Sequence, residues 1–504
     1  MSVGRSAPGT SSTRDPRVII VGAGMSGICM AAKLKLVGIS NFRVLEKATD
    51  IGGTWRDNRY PGLHCDVPSA FYQYSFHHNP NWSRWLSPGK EIYNYFSAVV
   101  QHYGLREHIE LGVEVTRAEF VNGVWRVHDS VGAVREADFL IAATGVLHHP
   151  LRPEIPGLDD FAGAMFHSAR WDDAVCLTGK RVAVVGTGST GAQIVTALAG
   201  RVAHLDLFQR TAQWVLPLPN WPTDPVTRFL RAKVPGWMTA EYALIKSAFS
   251  LFAKALIAPG WQRWLVGTLC RMHLRTVRNL ELRRKLTPVY QPGCKRLVMS
   301  GGFYRAVQRR NIDVVTTPID HVEARGIVTT DGQLHEVDVL VLATGFDAHA
   351  YLRPMELIGP EGRTLSECWQ NGPHAYRTIG LPGFPNFFML MGPHSPIGNF
   401  SLVAIAETQS DYILRWIRAW QQRQFTLAAP TAESTANYNA ALRAALPGTV
   451  WASGCSSWYL GQDGTPEVWP WTPKHHARML SDLHSEEFCF DDDLVGAAVP
   501  GRRM

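Results

Sequence analysis

The sequence predicts an α/β protein that contains one strand–turn–helix–strand unit twice. The first copy begins with the apolar run 17–21, passes through a glycine-rich turn and an apolar helical segment, and returns as a strand at 42–45. The second copy begins at 181–185 and returns at 205–208. Because continuous apolar strands joined by a helix are typical of parallel sheets, each copy is predicted to be a Rossmann-like domain.

Each turn carries three glycines in the spacing GxGxxG. They are Gly22, Gly24 and Gly27 in the first copy and Gly186, Gly188 and Gly191 in the second. In such a turn the first glycine permits a tight bend, the second lets the backbone approach a pyrophosphate, and the third packs the helix on the strand. The amino terminus of the helix adds a positive dipole end. The two turns therefore predict two dinucleotide sites.

The residues at the ends of the second strands differ in charge between the two copies. Glu46 lies 24 residues after Gly22, and Arg210 lies 24 residues after Gly186. A carboxylate accepts hydrogen bonds from a ribose diol, whereas a guanidinium pairs with a 2′-phosphate. Glu46 therefore indicates FAD, and Arg210 indicates NADPH.

Composition is typical of a globular enzyme and excludes several function classes. Of the 504 residues, 46% are hydrophobic and 18% are charged, and the net charge of +7 accompanies no nucleic-acid-binding motif. The eight cysteines form no CxxC pair and no cysteine–histidine zinc spacing. We therefore expect no metal site, no redox dithiol, and reduced thiols in a cytoplasmic protein.

The segments outside the two units are assigned by pattern. Apolar and polar residues alternate over 113–128 around Asn122-Gly123, which predicts a hairpin. Strands are predicted at 139–142 and 339–342, and each is followed directly by Ala-Thr-Gly. A helix is predicted at 401–420. The expected organisation is a flexible tail at 1–16 without the features of a signal peptide, an FAD-binding domain at 17–150 and 375–504, an NADP-binding domain at 151–218 and 291–374, and a helical insertion at 219–290.

The insertion in the second domain contains apolar residues at steps of three and four. Trp237, Trp261 and Trp264 lie among them. For most of these residues we expect core packing of amphipathic helices, and the alternative is a lid over a hydrophobic substrate that touches membrane surfaces. The most apolar part, 236–258, contains three charged residues, so a transmembrane segment is not expected.

One segment between the two glycine turns points to a specific family. Residues 161–172 read FAGAMFHSARWD, which fits FxGxxxHxxxW followed by Pro or Asp. This pattern, just before the second turn, resembles type I Baeyer-Villiger monooxygenases. Related flavin monooxygenases that oxidise nitrogen or sulfur generally carry Phe or Tyr where this chain has Trp171. Further segments resemble the family over roughly residues 16–475.

The resemblance implies roles for individual residues. Arg296 would be the catalytic arginine and Asp66 its carboxylate partner. Lys295, Arg210 and Thr211 would bind the 2′-phosphate of NADPH, Gln193 would lie near its pyrophosphate, and Trp458 would contact the same cofactor. On the flavin side the matching residues are Gly53, Thr54, Trp55 and Asp66. His167 would be a conformational residue, and proton transfer by it is not expected.

The reaction implied by the resemblance consumes NADPH and O2. FAD would carry oxygen as a C4a-peroxyflavin, which attacks a hydrophobic ketone and yields an ester or lactone, and Arg296 would stabilise the anions formed. The alternative within the superfamily is oxidation of nitrogen or sulfur in a hydrophobic substrate. A flavin reductase acting on a protein or disulfide, and a redox sensor without turnover, are the other classes. No nucleic-acid partner is expected, and the sequence leaves the oligomeric state open.

Overall fold

Short strands and helices alternate along the described part of the chain. The structure is a computed structural model and describes residues 14–395, 398, 400–461 and 463–495. The strands are β1 (Val18–Val21), β2 (Phe42–Glu46), β3 (Ile109–Leu111), β4 (Val115–Val121), β5 (Val124–Asp129), β6 (Val134–Ala137), β7 (Phe139–Ala142), β8 (Ala164–His167), β9 (Arg181–Val185), β10 (His204–Phe208), β11 (Val215–Leu216), β12 (Val298–Met299), β13 (Ile312–Val315), β14 (Ile319–Glu323), β15 (Gly326–Thr329), β16 (Leu334–Glu336), β17 (Val339–Leu342), β18 (Glu356–Ile358), β19 (Phe387–Met389), β20 (Ala428–Pro430) and β21 (Phe488–Phe490). The α-helices are α1 (Met25–Leu36), α2 (Thr54–Asp57), α3 (Gly89–His102), α4 (Ser189–Leu198), α5 (Pro225–Lys233), α6 (Trp237–Ile257), α7 (Trp261–Leu274), α8 (Leu280–Lys285), α9 (Phe303–Ala306), α10 (Leu365–Cys368), α11 (Leu402–Gln421), α12 (Ala432–Ala445), α13 (Pro473–Met479) and α14 (Asp492–Val495).

Two five-stranded parallel sheets with the same strand order form the centre of the molecule. The first has the order β19-β7-β1-β2-β3 and the second β8-β17-β9-β10-β13. In each sheet the strand before the glycine turn lies between the returning strand and the strand that ends in Ala-Thr-Gly. The predicted fold class, α/β with two Rossmann-like domains, is therefore confirmed.

Each central strand is buried on both faces, as its sequence predicts. Alternate residues of β1 point to opposite cores: Val18 and Ile20 pack with the helices α1, α3 and α11, whereas Ile19 and Val21 pack with the antiparallel sheet of β4, β5 and β6. The second unit repeats this arrangement, with α4 on one face of its sheet and the antiparallel strands β14, β15 and β16 near the other. The fully apolar strands are thus explained by burial between two layers.

The two Ala-Thr-Gly endings lie beside the segment that joins the units. The amide of Leu151 donates to the carbonyl of Gly345 at 2.9 Å, and the hydroxyl of Thr344 donates to the carbonyl of Leu151 at 2.5 Å. The hydroxyl of Thr144 donates to the carbonyl of Tyr351 at 3.1 Å. The carboxyl ends of both sheets are thereby tied together at one place.

Most of the predicted elements are present where the sequence places them. The hairpin around Asn122-Gly123 forms as β4 and β5, and Ser401 caps α11 by accepting a hydrogen bond from the amide of Ala404. For residues 451–471 the sequence does not indicate regular structure, and those of them that the structure describes contain no α-helix or extended strand. The helices α3, α12 and α13 were not predicted. Of the predicted tail, residues 1–13 lie outside the described range, whereas Arg14 stacks on the ring of Trp420 at 5.2 Å.

The insertion forms the four helices α5 to α8, which confirms its predicted helical character. The expectation of core packing is wrong for the three tryptophans named above, because Trp237 is 38% exposed, Trp261 60% and Trp264 66%. No single described helix is long and apolar enough to cross a membrane, and α6 and α7, which meet at 92°, pass that test only when taken together.

Candidate active site

The first glycine turn leaves an opening at its second glycine. A Cβ atom on Gly27 would lie 1.9 Å from the carbonyl oxygen of Gly22, so this position requires glycine for close packing of α1 on the turn. At Gly24 the nearest atom to such a Cβ would be the Cα of Gly53, at 3.8 Å. The backbone of Gly24 is therefore accessible, and it faces the start of α2, where Thr54 and Trp55 lie.

The second turn has the same geometry and is more open. A Cβ on Gly191 would lie 2.1 Å from the carbonyl oxygen of Gly186, whereas one on Gly188 would meet no atom within 4 Å. A bare backbone amide in front of a helix amino terminus is the arrangement that binds a pyrophosphate. Both turns therefore fit the diphosphate group of a dinucleotide.

Glu46 ends β2 beside the first turn and is buried. One carboxylate oxygen accepts a hydrogen bond from the amide of Ala23 at 2.8 Å. The other accepts from the amide of Ala48 at 3.0 Å and from the guanidinium of Arg56 at 3.1 Å. Since a carboxylate has about four acceptor positions, these three bonds leave capacity for a ribose hydroxyl. Glu46 also holds the glycine turn in place.

Arg210 and Lys295 form a pair of cations in the second unit. Arg210 is exposed just beyond β10, and Lys295 is half-buried with its ammonium 5.3 Å from the ring of Tyr290. Burial, and then the charge of Arg210, lower the pKa of Lys295. Among the described residues neither side chain forms an ion pair. Thr211 follows Arg210 directly, so this corner has two like charges and a hydroxyl to offer a phosphate.

Arg296 and Asp66 form an ion pair across 230 residues of sequence. The Nε atom of Arg296 donates to one Asp66 oxygen at 3.1 Å, and a terminal nitrogen donates to the same oxygen at 2.7 Å. The Arg296 side chain is only 24% exposed, and its guanidinium lies against Asp66 and does not face bulk solvent. Burial opposes its charged form, but the Asp66 carboxylate and then Tyr459 outweigh burial and raise the pKa of Arg296. The side chain is a fixed, permanent cation.

The pair is positioned by segments from three parts of the chain. Arg296 lies two residues before β12, which pairs with β11 of the second unit. Asp66 lies in the irregular segment that follows α2, and Tyr459 comes from the irregular carboxy-terminal segment. The hydroxyl of Tyr459 is buried and has no hydrogen-bond partner of good geometry among the described residues. Burial raises the pKa of Tyr459 despite the opposing charge of Arg296.

A disulfide joins two of the segments that form the site. Cys294 and Cys455 are paired, with their Cα atoms 6.1 Å apart. The expectation of reduced thiols is therefore wrong for these two residues, because folding brings distant cysteines together in a way that spacing does not reveal. Cys294 directly precedes Lys295, and Cys455 lies three residues before Trp458, so the cross-link ties together two segments with predicted cofactor residues.

Gln193 has contacts that the sequence did not reveal. Its side-chain oxygen accepts from the hydroxyl of Tyr60 at 3.0 Å, and its nitrogen donates to the carbonyl of His64 at 3.0 Å. A Cβ on Gly62 would lie 2.7 Å from the backbone oxygen of Gln193, so the loop rests directly on α4. Gln193 therefore connects the second unit to the segment that holds Asp66, and its contact with a cofactor stays a prediction.

Two further predicted residues, Trp55 and Trp458, each contact a tyrosine. The indole of Trp55 donates to the hydroxyl of Tyr72 at 3.1 Å. Trp55 also lines a cavity of about 530 Å³ together with Tyr60, Gly62 and Asp173. Trp458 is partly exposed, and its ring lies 4.2 Å from that of Tyr459. Tyr60 and Tyr459 were missed by the sequence reasoning, although both neighbour motif residues.

His167 and Trp171 make the contacts of residues with a structural role. The Nδ1 atom of His167 accepts from the amide of Ala169 at 3.1 Å and caps a short turn. Burial lowers the pKa of His167, and its Nε2 atom has no hydrogen-bond partner among the described residues. Trp171 is buried with its ring 4.8 Å from that of Phe166. The segment thus packs against the second sheet, and β8 is its edge strand.

Comparisons with known proteins agree with this geometry. Residues 19–222 match the family model described as pyridine nucleotide-disulphide oxidoreductase. An uncharacterized monooxygenase of Mycobacterium tuberculosis is 55% identical over 94% of this chain and 96% of its own length. A Baeyer-Villiger monooxygenase of Streptomyces coelicolor is 36% identical over 94% of this chain and 92% of its own length. A crystal structure of OTEMO in complex with FAD and NADP has a TM-score of 0.85 and 27% identity, covering 95% of this chain and 100% of that one.

Proposed function

Because the chain belongs to the Baeyer-Villiger monooxygenases, a flavin-dependent family, we propose that it inserts one oxygen atom of O2 next to the carbonyl of a hydrophobic ketone and releases an ester or lactone. It is a flavoprotein monooxygenase, and its cofactors are FAD and NADPH. We assign FAD to the unit of residues 17–150 and 375–504, and NADPH to the unit of 151–218 and 291–374.

The observation that carries the proposal is the fixed cation formed by Arg296 and Asp66. The two hydrogen bonds of 3.1 and 2.7 Å set the orientation of the guanidinium, and the buried Tyr459 hydroxyl lies beside it without a partner of its own among the described residues. A permanent cation that is held away from bulk solvent is suited to stabilising negative charge that develops on oxygen.

Arg296 acts on the charge of the reacting oxygen atoms. When bound and reduced by NADPH, FAD supplies the activated oxygen that attacks the ketone. Negative charge then lies on oxygen before the attack and on the former carbonyl oxygen after it, and a guanidinium fixed in advance stabilises both. The protein needs no nucleophile of its own.

Asp66 and Gln193 position the cation. Asp66 holds Arg296 by both hydrogen bonds and partly neutralises it, so that the arginine does not swing to solvent. Gln193 fixes the loop of Asp66 to α4 through Tyr60 and His64. We infer that this connection keeps the catalytic pair in register with the cofactor of the second unit.

Water is excluded by the buried aromatic residues around the pair. Tyr459 and Trp451 are fully buried with Cys294 in one cluster, and Tyr72 is buried behind Trp55. A dry surrounding strengthens the field of Arg296 and protects a reactive oxygen species from water. Trp458 is assigned to the contact with NADPH at the more exposed side of the same segment.

The cofactors are held by the residues with matching chemistry. Gly22, Gly24 and Gly27 with Gly53, Thr54 and Trp55 hold the FAD diphosphate, and Glu46 accepts from its ribose. Gly186, Gly188 and Gly191 hold the diphosphate of NADPH. Arg210, Thr211 and Lys295 bind its 2′-phosphate, which relieves the repulsion between the two cations.

The test is a panel of ketones with the FAD-loaded enzyme, NADPH and O2, with product identification by mass spectrometry. The expected product contains one oxygen atom more than the ketone, as an ester or lactone, and that atom derives from labelled O2. A parallel reaction with a thioether and an amine serves as the comparison. Conversion of the thioether or amine without any ester from the ketone panel would contradict the proposal and favour the alternative oxidation of nitrogen or sulfur.

A further inference from the structure

Large hydrophobic side chains are exposed mainly in one part of the described chain, the helical insertion. Of 19 such residues, 14 lie between 221 and 289, and four of the five exposed tryptophans are among them. The exposed apolar residues of the insertion are Trp221, Val226, Phe229, Val234, Trp237, Leu244, Leu251, Trp261, Trp264, Leu265, Leu269, Met272, Leu280 and Val289. Scattered single residues would need no explanation, but this concentration does.

The exposed residues form continuous stripes on two consecutive helices. In α6, Trp237, Leu244 and Leu251 are seven residues apart and lie on one side. In α7, the exposed residues Trp261, Trp264, Leu265, Leu269 and Met272 share one face, whereas Val266, Cys270 and Leu274 on the opposite face are buried. With 3.6 residues per turn, this spacing is that of an amphipathic helix whose apolar outer face has no protein partner in the described chain.

The helical insertion also accounts for the net positive charge of the protein. Residues 219–290 contain twelve Lys and Arg against three Asp and Glu, whereas the whole chain contains 50 against 43. The insertion therefore has a net charge of +9, and the rest of the chain, with 38 basic and 40 acidic residues, is slightly negative. Most of the basic residues are exposed, and the ion pairs within the described insertion are Arg231 with Glu241 and Lys285 with Glu281.

We propose that this outer surface of α5, α6 and α7, the insertion face, docks on a lipid bilayer that contains anionic lipids. Tryptophan is favoured at the boundary between headgroups and acyl chains, and Lys and Arg attract anionic headgroups while their stems cover apolar surface. An amphipathic helix with aromatic and aliphatic residues on one side and basic residues around them lies in the plane of such a boundary.

The positive charge of the insertion face argues against a second copy of the chain as its partner. A symmetric dimer through the insertion face would place two surfaces of the same sign against each other, which is unfavourable. A nucleic acid would neutralise the charge but would leave the apolar stripes of α6 and α7 without a partner. An anionic bilayer satisfies both features together.

The insertion face is connected to the candidate site by α6. Its penultimate residue, Leu256, is buried in one cluster with Cys294, Val450 and Trp451, and Cys294 directly precedes Lys295 and Arg296 in the sequence. If α6 and α7 dock, the bilayer would therefore lie on the side of the molecule where α6 runs from the surface to the candidate site. The proposal rests only on exposure and charge, so it is independent of the reaction.

The experiment is cosedimentation of the FAD-loaded, full-length protein with vesicles. Phosphatidylcholine vesicles are compared with vesicles in which a quarter of the lipid is phosphatidylglycerol, at low and high salt. We expect binding to the anionic vesicles, weakened by salt, and at least a tenfold lower partition coefficient for a W261S/W264S variant. The matched control is V131S, which removes a 70% exposed valine outside the insertion. Both tryptophans are exposed, so the variant should fold and keep its FAD.

Several results would overturn the proposal. They are absence of binding to anionic vesicles, equal binding by wild type and W261S/W264S, and loss of binding in V131S to the same extent. A wild-type dimer in light scattering that becomes monomeric in W261S/W264S, without vesicle binding, would identify a second copy as the occupant. Retention on a DNA duplex that ignores the two tryptophans, without vesicle binding, would identify a nucleic acid.

Discussion

The two nucleotide units have the same strand order and the same glycine geometry, but they differ at the end of the second strand. In the first unit Glu46 is buried and accepts three hydrogen bonds from the protein itself. In the second unit Arg210 is exposed, and Lys295 lies near it with a lowered pKa. The carboxylate of Glu46 already has hydrogen-bond partners in the protein, whereas Arg210 and Lys295 carry like charges that a ligand must compensate.

This difference separates two roles of a residue at a cofactor site. Glu46 is part of the structure that holds the turn, so its loss should affect stability as well as binding. The Arg210 side chain is exposed and forms no ion pair with the described residues, so its loss should affect binding alone. Substitutions of Glu46 and Arg210 therefore test whether equivalent positions in the two units contribute equally to stability and to cofactor binding.

The largest effect on stability is expected from Glu46→Ala. The substitution leaves the buried amide of Ala23, that of Ala48 and the guanidinium of Arg56 without their acceptor, at a cost of about 2–5 kcal/mol in the free energy of unfolding. Urea unfolding of the protein without FAD measures this cost apart from cofactor binding. Glu356→Ala, at an exposed position of β18, is the control. An unchanged unfolding curve with weaker FAD binding would show that Glu46 has no structural role.

Arg210→Ala should change cofactor preference and leave stability unchanged. The loss of a charged hydrogen bond, about 1.5–3 kcal/mol, corresponds to a rise of about ten- to a hundredfold in KM for NADPH, with KM for NADH hardly affected. Steady-state kinetics with both cofactors measure the ratio. Arg201→Ala, an exposed arginine of the same unit, provides the comparison. If the preference for NADPH survived in R210A, Arg210 would not bind the 2′-phosphate.

The pH dependence of NADPH binding should show the coupling between Lys295 and Arg210. Lys295 carries its charge below its pKa, and burial together with Arg210 lowers that pKa. The preference for NADPH over NADH should therefore weaken on the alkaline side at a lower pH than for an ordinary lysine. R210A binds NADPH more weakly, but the repulsion on Lys295 is gone, so the alkaline rise in its KM for NADPH should move to higher pH. A rise that stayed at the same pH as in the wild type would contradict the coupling.

The smallest effect is expected at His167, in β8, an edge strand of the second sheet. Its Nδ1 atom caps a turn, so His167→Ala should cost about 0.5–2 kcal/mol in stability. His167→Asn, which offers an acceptor again, should recover part of the loss. The pH profile of turnover should be the same in all three proteins, and a lost limb in H167A would instead indicate proton transfer.

Local patterns were sufficient to predict the repeated sheets. Four consecutive apolar residues before GxGxxG predicted that β1 and β9 are buried on both faces. Glu46 and Arg210 were located by their equal distance from the first glycine of each turn. The pairing of Arg296 with Asp66 was implied by resemblance to a family and lies outside the reach of periodicity, because 230 residues separate the two.

Contacts between distant segments could not be predicted. The bond between Cys294 and Cys455 and the bridge from Gln193 to Tyr60 and His64 depend on how the two units are placed against each other, which leaves no periodic trace in the sequence. The exposure of Trp261 and Trp264 was missed because an amphipathic pattern identifies an apolar face but does not say whether protein or another partner covers it.

The central claim is that Arg296 acts in oxygenation and not in reduction of the flavin. Stopped-flow absorbance of FAD-loaded Arg296→Ala with NADPH gives the rate of flavin reduction, and mass spectrometry gives the ester formed per NADPH consumed. Arg305→Ala, an exposed arginine of α9, is the matched control. The account predicts an unchanged reduction rate and ester formation lower by about a hundred- to a thousandfold. Equal loss of both, or ester formation at the wild-type level, would contradict it.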